Sequence, residues 1–502
     1  MRQLHSPAEA VDWLRGRVTG TLQTDSRLVG PGDGFIAWPG AAADGRRYVP
    51  QALNEGATAC LVEQAGLAPF GFDDPSIACC TGLKAATGPI ASLYFAEPSR
   101  AIEVMAVTGT NGKTSVAWWL AQALSSLPAA RAMPCAVVGT LGIGQPPELQ
   151  FNGMTTPDPV LLQRQFRQFV NQGIKACAIE ASSIGLAERR MDGTRIGVAI
   201  FTNFTQDHLD YHGSMDGYWM AKRQLFDWQG LRAAVVNLDD PKGASLAQDL
   251  LGRGVRVWTY SIDRPADLVA DALQMDGMGL RFDVREHAES LPLRLRAVGR
   301  FNVSNVLAVL AAMRSVGISL ADAVGACAAL TPVPGRLESV ETDNGPMVVV
   351  DYAHTPDALD KVLGSLRPVA AGRGGQLWCV FGCGGGRDPT KRPLMGAAAE
   401  GAADHLVLTS DNPRDESPES IVRQIASGLQ SPKQAHVELD RGRAIAWALE
   451  HADASDIVLV AGKGHEHYQE TRGVRIPFSD QRQARDILYR MKISADGVED
   501  RP

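Results

Sequence analysis

The sequence predicts an α/β protein of three domains, with a small N-terminal α/β domain (1–100), a central parallel-sheet domain (101–335) and a doubly wound C-terminal domain (336–502). Three observations lead there. The 502 residues exceed what a single core of up to ~250 residues accommodates. Continuous apolar runs alternate with helical stretches, the pattern of a sheet covered on both faces. A Pro/Gly-rich joint, "TPVPGRLE" (Thr331 to Glu338), then interrupts the alternation, which restarts beyond it.

The first hundred residues mix short apolar runs with turn dipeptides such as "VGPGDGF" and "DGRRY". From Ala101, "AIEVMAV" enters a Gly loop and the helical "KTSVAWWLAQAL"; "KACAIEA", "GVAIFTNF" and "AAVVNLD" are further buried strands, and "NVSNVLAVLAAMRSVG" is a closing helix. After the joint, "MVVVDYA", "QLWCVFGCGG", "HLVLTSD" and "DIVLVAGKG" alternate with four helical segments, which gives a Rossmann-like sheet. Ligands of such sheets bind beyond the carboxyl ends of the strands, where "GCGGGRD", "SDNPR" and "GKGHE" stand.

Composition removes several function classes. Hydrophobic content of 45% and charged content of 21% are globular values. A net charge of −7 without a long basic run argues against nucleic acid. No apolar stretch reaches the ~18 residues of a membrane span, and the start has no apolar leader core. The eight cysteines form no CxxC pair and sit in apolar runs, as expected of reduced buried thiols in a cytoplasmic protein.

Four groups of residues carry chemistry. "VTGTNGKTS" (Val107 to Ser115) follows a strand and opens a helix, so backbone N–H groups of Gly109, Thr110, Asn111 and Gly112 can cradle phosphates. Lys113 would meet the β/γ oxygens of ATP and Thr114 would ligate Mg²⁺, with Ser115 beside it. This is a shortened P-loop, since Val107 stands where the usual spacing requires Gly. "AIEASS" supplies Glu180, a hard ligand for Mg²⁺. "NFTQDHLDYHG" supplies Asp207, His208, Asp210 and His212, and a neutral imidazole suits the same shell. Lys222, in "YWMAKRQLF", is out of place beside a cation unless a desolvated amine has reacted with CO₂ to give a metal-binding carbamate. In "TSDNPRDESPES" (Thr409 to Ser420), Pro413 locks a turn that aims Arg414, whose partner is either a loop carboxylate of the chain or a ligand.

Taken in order, "TGTNGKTS", "TTPDP", "EASS", "NFTQDHLDYHG", "AKRQLF", "NLDDP", "GRFNVSN", "PGRLE", "DYAHTPDAL", "FGCGGGRD", "DNPR" and "GKGHE" resemble the ATP-dependent Mur ligases of peptidoglycan synthesis across nearly the whole chain. The resemblance implies an amide ligase using ATP and two Mg²⁺. It adds Asn305, Arg336 and Asp351 to the ATP set, and makes Lys113, Glu180, His208 and Lys222 catalytic. It implies UDP-N-acetylmuramoyl-L-Ala-D-Glu as one substrate, bound by Ser26, Thr155, Thr156, Ser182, Glu188 and Arg190. "DNPR" with "GKGHE" implies meso-diaminopimelate as the other, bound by Arg387, Asp411, Asn412, Pro413, Arg414, Gly462 and Glu466. Met154, Ile184 and Glu188 depart from the family pattern, as do the alanines at 41–43. A monomer is expected. The alternatives are a sister ligase (L-lysine-adding, D-Ala-D-Ala-adding or folylpolyglutamate synthetase) and a nucleotide-binding regulatory module without ligation.

Overall fold

A computed structural model describes residues 1–40, 43–276, 279–340 and 345–495; the loop alanines at 41 and 42 lie outside them. Among these residues the strands form sheets of five, eleven and six strands and a two-stranded ribbon. The five-stranded sheet is parallel, in the order Arg2–Leu4, Ile77–Cys80, Ala59–Glu63, Gly34–Ala37, Leu22–Gln23.

The eleven-stranded sheet has a parallel centre, ordered Leu268–Asp276, Arg256–Ser261, Ala233–Asn237, Val198–Phe201, Glu103–Thr108, Ala176–Glu180, Cys135–Gly139. Antiparallel strands extend both of its edges, Gly279–Glu286 with Glu289–Leu295 on one side and Gly142–Gln145 with Glu148–Gln150 on the other. These extensions are absent from the sequence reading because they lack continuous apolar runs. Gly279–Glu286 alternates buried with more exposed positions, the period-2 signature of a strand covered on one face.

The helix Lys113–Ser125 is buried along almost its whole length, Trp118 and Trp119 included, because it is wedged between this sheet and the equally buried helix Arg300–Ser315. A helix apolar on all sides has no other stable place. It fixes where the loop preceding it must sit.

The six-stranded sheet is ordered Glu338–Val340, Met347–Asp351, Ile457–Ala461, Leu377–Phe381, His405–Leu408, His436–Val437, antiparallel only at its first pair. The ribbon Tyr468–Thr471 with Val474–Pro477 follows it, and Arg414 bridges to Thr471. No helix of the described residues is long and apolar enough to cross a membrane. All eight cysteines are buried free thiols, as their apolar context predicts.

Candidate active site

The carboxyl ends of the eleven-stranded and six-stranded sheets face each other across one cavity of about 730 Å³. One wall comes from the loops that follow Glu103–Thr108, Ala176–Glu180 and Val198–Phe201. The other comes from the loops after Met347–Asp351, Leu377–Phe381, His405–Leu408 and Ile457–Ala461.

On the first wall the loop before Lys113 is held by its surroundings. Thr110 N–H donates to Asn203 O (2.8 Å) and Asn111 N–H to Asn203 Oδ1 (2.9 Å). Gly112 adopts φ +85°, and a Cβ there would lie 2.5 Å from Asn305 Oδ1, so only glycine lets Asn305 pack on the loop. Lys113 Nζ donates to Gly109 O (2.9 Å) and Thr110 O (2.8 Å), folding back over the loop it belongs to. Burial lowers its pKa, with Glu180 and Asp207 opposing the shift.

Glu180 is 1% exposed and joins three predicted groups. It accepts from Thr114 Oγ1 (3.1 Å), Thr140 N–H (2.8 Å) and Thr140 Oγ1 (3.2 Å). Thr114 in turn accepts from Arg336 Nη2 (3.0 Å), and Thr140 Oγ1 meets Thr155 Oγ1 at 3.0 Å. Residues predicted separately for nucleotide, metal and UDP-substrate thus form one hydrogen-bonded chain. Thr140 was missed because a lone threonine after a strand carries no motif.

Lys222 is 1% exposed and donates to Gly109 O at 2.7 Å, with its amine 4.5 Å from the Tyr218 ring centroid. No carboxylate lies within ion-pair distance of it among the described residues. Burial, reinforced by the Lys113 charge, drives its pKa well below that of an ordinary lysine.

His208 opens a one-turn helix in the left-handed region, φ +53°, with Asp207 Oδ2 3.4 Å from its Nε2. Burial lowers its pKa to about 4 against the pull of Asp207, so the ring is neutral near pH 7. Burial opposes ionisation of Asp207 too, but His354, His208 and Lys391 outweigh it and hold the carboxyl at about 2.

The opposite wall carries the loop of Arg414. Its φ is +51°, its N–H donates to Glu470 O (3.1 Å) and its carbonyl accepts from Arg472 N–H (2.8 Å). Side-chain Nη1 donates to Gly385 O at 2.6 Å. No carboxylate stands within 4 Å of the guanidinium among the described residues, so the loop salt bridge considered from sequence is not made. Asn412 Nδ2 donates to Glu466 Oε2 (2.8 Å), and fully buried Lys463 donates to Asn412 Oδ1 (2.9 Å) and Glu466 Oε2 (3.0 Å). Lys463 lay inside the quoted "GKGHE" but was given no role; only the structure shows it clamping two predicted ligand contacts. Gly462 adopts φ +113°, and a Cβ would meet Asp411 Oδ2 at 2.5 Å. Asp351 accepts from Leu337 N–H (2.7 Å) and Ala353 N–H (2.7 Å) and thereby fixes the crossing from Arg336 into the third sheet.

Thr110 to Ser115, Glu180, His208, Lys222, Asn305, Arg336, Asp351, Thr155, Ser182, Arg387, Asp411, Asn412, Arg414, Gly462 and Glu466 all line the cavity. Gly109, Ser26, Thr156, Glu188, Arg190 and Pro413 do not. Ser26 lies in the five-stranded region, its hydroxyl donating to Gln51 Oε1 (3.4 Å). Thr156 is fully buried beneath the cavity, its hydroxyl donating to Glu180 O (2.7 Å), while its carbonyl accepts from Arg190 Nη1 (3.0 Å). Glu188 pairs with Lys84 (2.7 Å) and accepts from Tyr211, so the acid that replaces a neutral family residue has its charge met inside the chain.

The wall of the Lys113 loop and Glu180 thus faces a wall that carries Arg387, Arg414, Asp411 and Glu466. The sequence comparisons agree with this geometry. The model of the Mur ligase middle domain matches residues 107–313, that of the Mur ligase glutamate ligase domain 335–464, and that of the Mur ligase family catalytic domain 20–84. The UDP-N-acetylmuramoyl-L-alanyl-D-glutamate–2,6-diaminopimelate ligase of Acidovorax sp. is 60% identical over 486 residues, covering 96% of this chain and 97% of that protein. Its counterpart from Janthinobacterium sp. is 47% identical, covering 94% and 95%. A solved structure of a ligase with the same title is 36% identical, with a TM-score of 0.65 over 94% of this chain and 95% of that one. Folylpolyglutamate synthase of Mycobacterium tuberculosis, solved with ADP, shares the fold at 20% identity, a TM-score of 0.60, and coverage of 75% and 91%. With family models covering most of the chain and relatives matched end to end, this chain belongs to the Mur ligase family.

Proposed function

We infer that the chain joins meso-diaminopimelate to UDP-N-acetylmuramoyl-L-alanyl-D-glutamate at the expense of ATP, in the cytoplasm and as a monomer. One observation carries this reading: the phosphate loop and the Arg414 loop, on different sheets, open on the same cavity. The D-glutamyl γ-carboxylate attacks the γ-phosphorus and ADP leaves. The amine then attacks the carbonyl carbon, phosphate leaves, and the amine's proton is lost. Phosphorylation turns a poor electrophile into one with a leaving group, and Lys113 meets the charge on the transferring group. Thr155 and Ser182 hold the acceptor beside Glu180. Asp411 and Glu466 face ammonium groups of the amino acid, and Arg387 and Arg414 its carboxylates.

Mg²⁺ fits the hard-oxygen pair of Thr114 and Glu180, with neutral His208 nearby. Lys222 fits only as a carbamate, because an ammonium repels the ion. Among the described residues no three or more His, Cys, Asp or Glu side chains are grouped so as to hold a metal; substrate oxygens would complete the shell around Thr114 and Glu180. When bound, Mg²⁺ supplies charge neutralisation to the phosphates.

The test is phosphate release from ATP with the UDP-linked dipeptide across a panel of amino acids. Release that requires meso-diaminopimelate supports the reading. Equal release with L-lysine or D-Ala-D-Ala refutes the acceptor assignment, and release indifferent to every amino acid refutes ligation.

A further inference from the structure

Beneath the amino-acid wall lies a buried ion pair that the reaction described above does not use. Arg441 opens the helix Arg441–His451 and Asp480 opens the helix Asp480–Ala495; they are 1% and 0% exposed, and neither lines the cavity. Arg441 Nε donates to Asp480 Oδ1 (2.7 Å) and Nη2 to Asp480 Oδ2 (2.8 Å). The same guanidinium also reaches two backbone carbonyls: Nη1 donates to Ser410 O (3.2 Å) and Nη2 to Ala461 O (2.9 Å).

Those carbonyls belong to the residues directly before Asp411 and Gly462, at the roots of the two loops that carry Asp411, Asn412, Arg414, Gly462 and Glu466. The strands that deliver the loops, His405–Leu408 and Ile457–Ala461, are not neighbours. Leu377–Phe381 runs between them, so no ladder hydrogen bond sets the distance from one loop to the other. The loops also meet through Asn412, Lys463 and Glu466, but these groups move with the loops they belong to. Arg441 stands on a helix outside both and crosses the gap with one rigid fork. Gln481, the residue after Asp480, adds a further hold on the second loop, its Nε2 donating to Gly464 O (3.0 Å). A buried ion pair is weak evidence of stabilisation, since apolar residues of similar volume often replace one without loss. Apolar residues cannot supply the two donors that tie Ser410 to Ala461.

We propose that Arg441, oriented by Asp480, is a positioning residue that sets the spacing of the two amino-acid loops and so the fit of the incoming amino acid. This rests on the ligase reading above. Arg441 touches neither the substrates nor the phosphate loop; it acts through Asp411 and Gly462. A lysine in its place keeps the charge but has no planar fork with which to hold Asp480 and both carbonyls together.

The test uses the full chain with Arg441→Lys, Asp480→Asn and the double replacement of Arg441→Met with Asp480→Leu. Phosphate release is measured with each substrate varied in turn. Scrambling of bridging ¹⁸O in labelled ATP, with the UDP-linked dipeptide present and the amino acid absent, reads acyl-phosphate formation alone. The double variant should match or exceed the parent in melting temperature. It should nevertheless lose about 100-fold in kcat/KM for diaminopimelate, mostly through KM, the loss that a displacement of about 1 Å produces. Its scrambling rate and its KM for ATP should stay within about threefold of the parent, because the phosphate loop is untouched. Arg441→Lys should lose nearly as much as the double variant, whereas Asp480→Asn, which keeps the guanidinium and its two carbonyl bonds, should lose less. A folded double variant with the parent's diaminopimelate kinetics overturns the proposal, as does a loss of scrambling as large as the loss of amide formation. A pair that none of the three variants can alter without loss of the fold is structural, and that too overturns it. A parent enzyme that neither scrambles label nor releases phosphate in response to amino acid removes the ligase reading, and this proposal with it.

Discussion

Replacing Arg414 by Ala or Lys tests how the amino-acid wall selects its ligand. The left-handed backbone at this position is strained for any side chain with a Cβ, so that cost is common to Arg, Lys and Ala and cancels between them. The free enzyme loses one hydrogen bond, Nη1 to Gly385 O, and no ion pair. A distal carboxylate entering the cavity is therefore the first counter-charge the guanidinium meets. Truncating one partner of a desolvated charged pair costs roughly 2–5 kcal/mol. Arg414 is only half-buried, which places the loss toward the low end. About 2–3 kcal/mol corresponds to a fall of roughly 30- to 150-fold in kcat/KM for diaminopimelate, carried mostly by KM. Lys keeps the charge but not the planar fork, and should recover only part. The KM values for ATP and the UDP-linked dipeptide should hardly move, and discrimination against L-lysine, which has no distal carboxylate, should shrink. Steady-state phosphate release with each substrate varied in turn measures all of this. Unchanged diaminopimelate kinetics in Arg414→Ala, or a loss of melting temperature alone, would refute the reasoning.

Lys113→Ala should abolish phosphate release while leaving the circular dichroism spectrum intact, because the amine contacts only carbonyls of its own loop; near-normal turnover would remove the nucleotide assignment. Lys222 should carry a carbamate: ¹³CO₂ labelling should give a carbamate resonance lost in Lys222→Ala, and short carboxylates should partly rescue that variant, whereas a free ammonium in the intact site would count against it. Acid should weaken the fold through His354 and His465, whose pKa values burial lowers to about 4 and about 3. The unfolded chain takes up these protons near the ordinary value of ~6.5 and the folded chain does not, so stability is fully present above ~6.5 and falls as pH drops toward 4. His465→Gln should flatten that slope in melting temperature against pH; an unchanged slope would contradict the assignment.

The sequence made four parallel strands of each large sheet legible, because strands buried on both faces are written as unbroken apolar runs, but it left Cys135–Gly139, Arg256–Ser261 and Leu268–Asp276 of the parallel centre unread. It left the antiparallel edges unread, because their alternation is short and local. It made the phosphate loop and the Arg414 turn legible because Gly and Pro constrain the backbone in ways that show in one line of text. It could not show that Thr140 links Thr155 to Glu180, that Lys463 holds Asn412 against Glu466, or that Lys84 and Tyr211 meet the charge of Glu188. Apart from Lys463 to Glu466, three residues apart, those contacts join residues distant along the chain and depend on packing.

Asn111 of the phosphate loop donates to Asp357 Oδ2 (3.0 Å) at the start of the helix Pro356–Arg373, and Thr205 Oγ1 reaches the same oxygen (3.4 Å). A loop of one sheet is thus tethered to a helix of the next, directly across the shared cavity. In the proposed reaction an acyl phosphate forms on one wall and waits for an amine held by the other, with water as the competing nucleophile. The tether then bears on economy as well as rate. Loosening it, as in Asp357→Ala, widens the gap and lets water win more often. The number of ATP molecules consumed per amide bond is the quantity that registers the change.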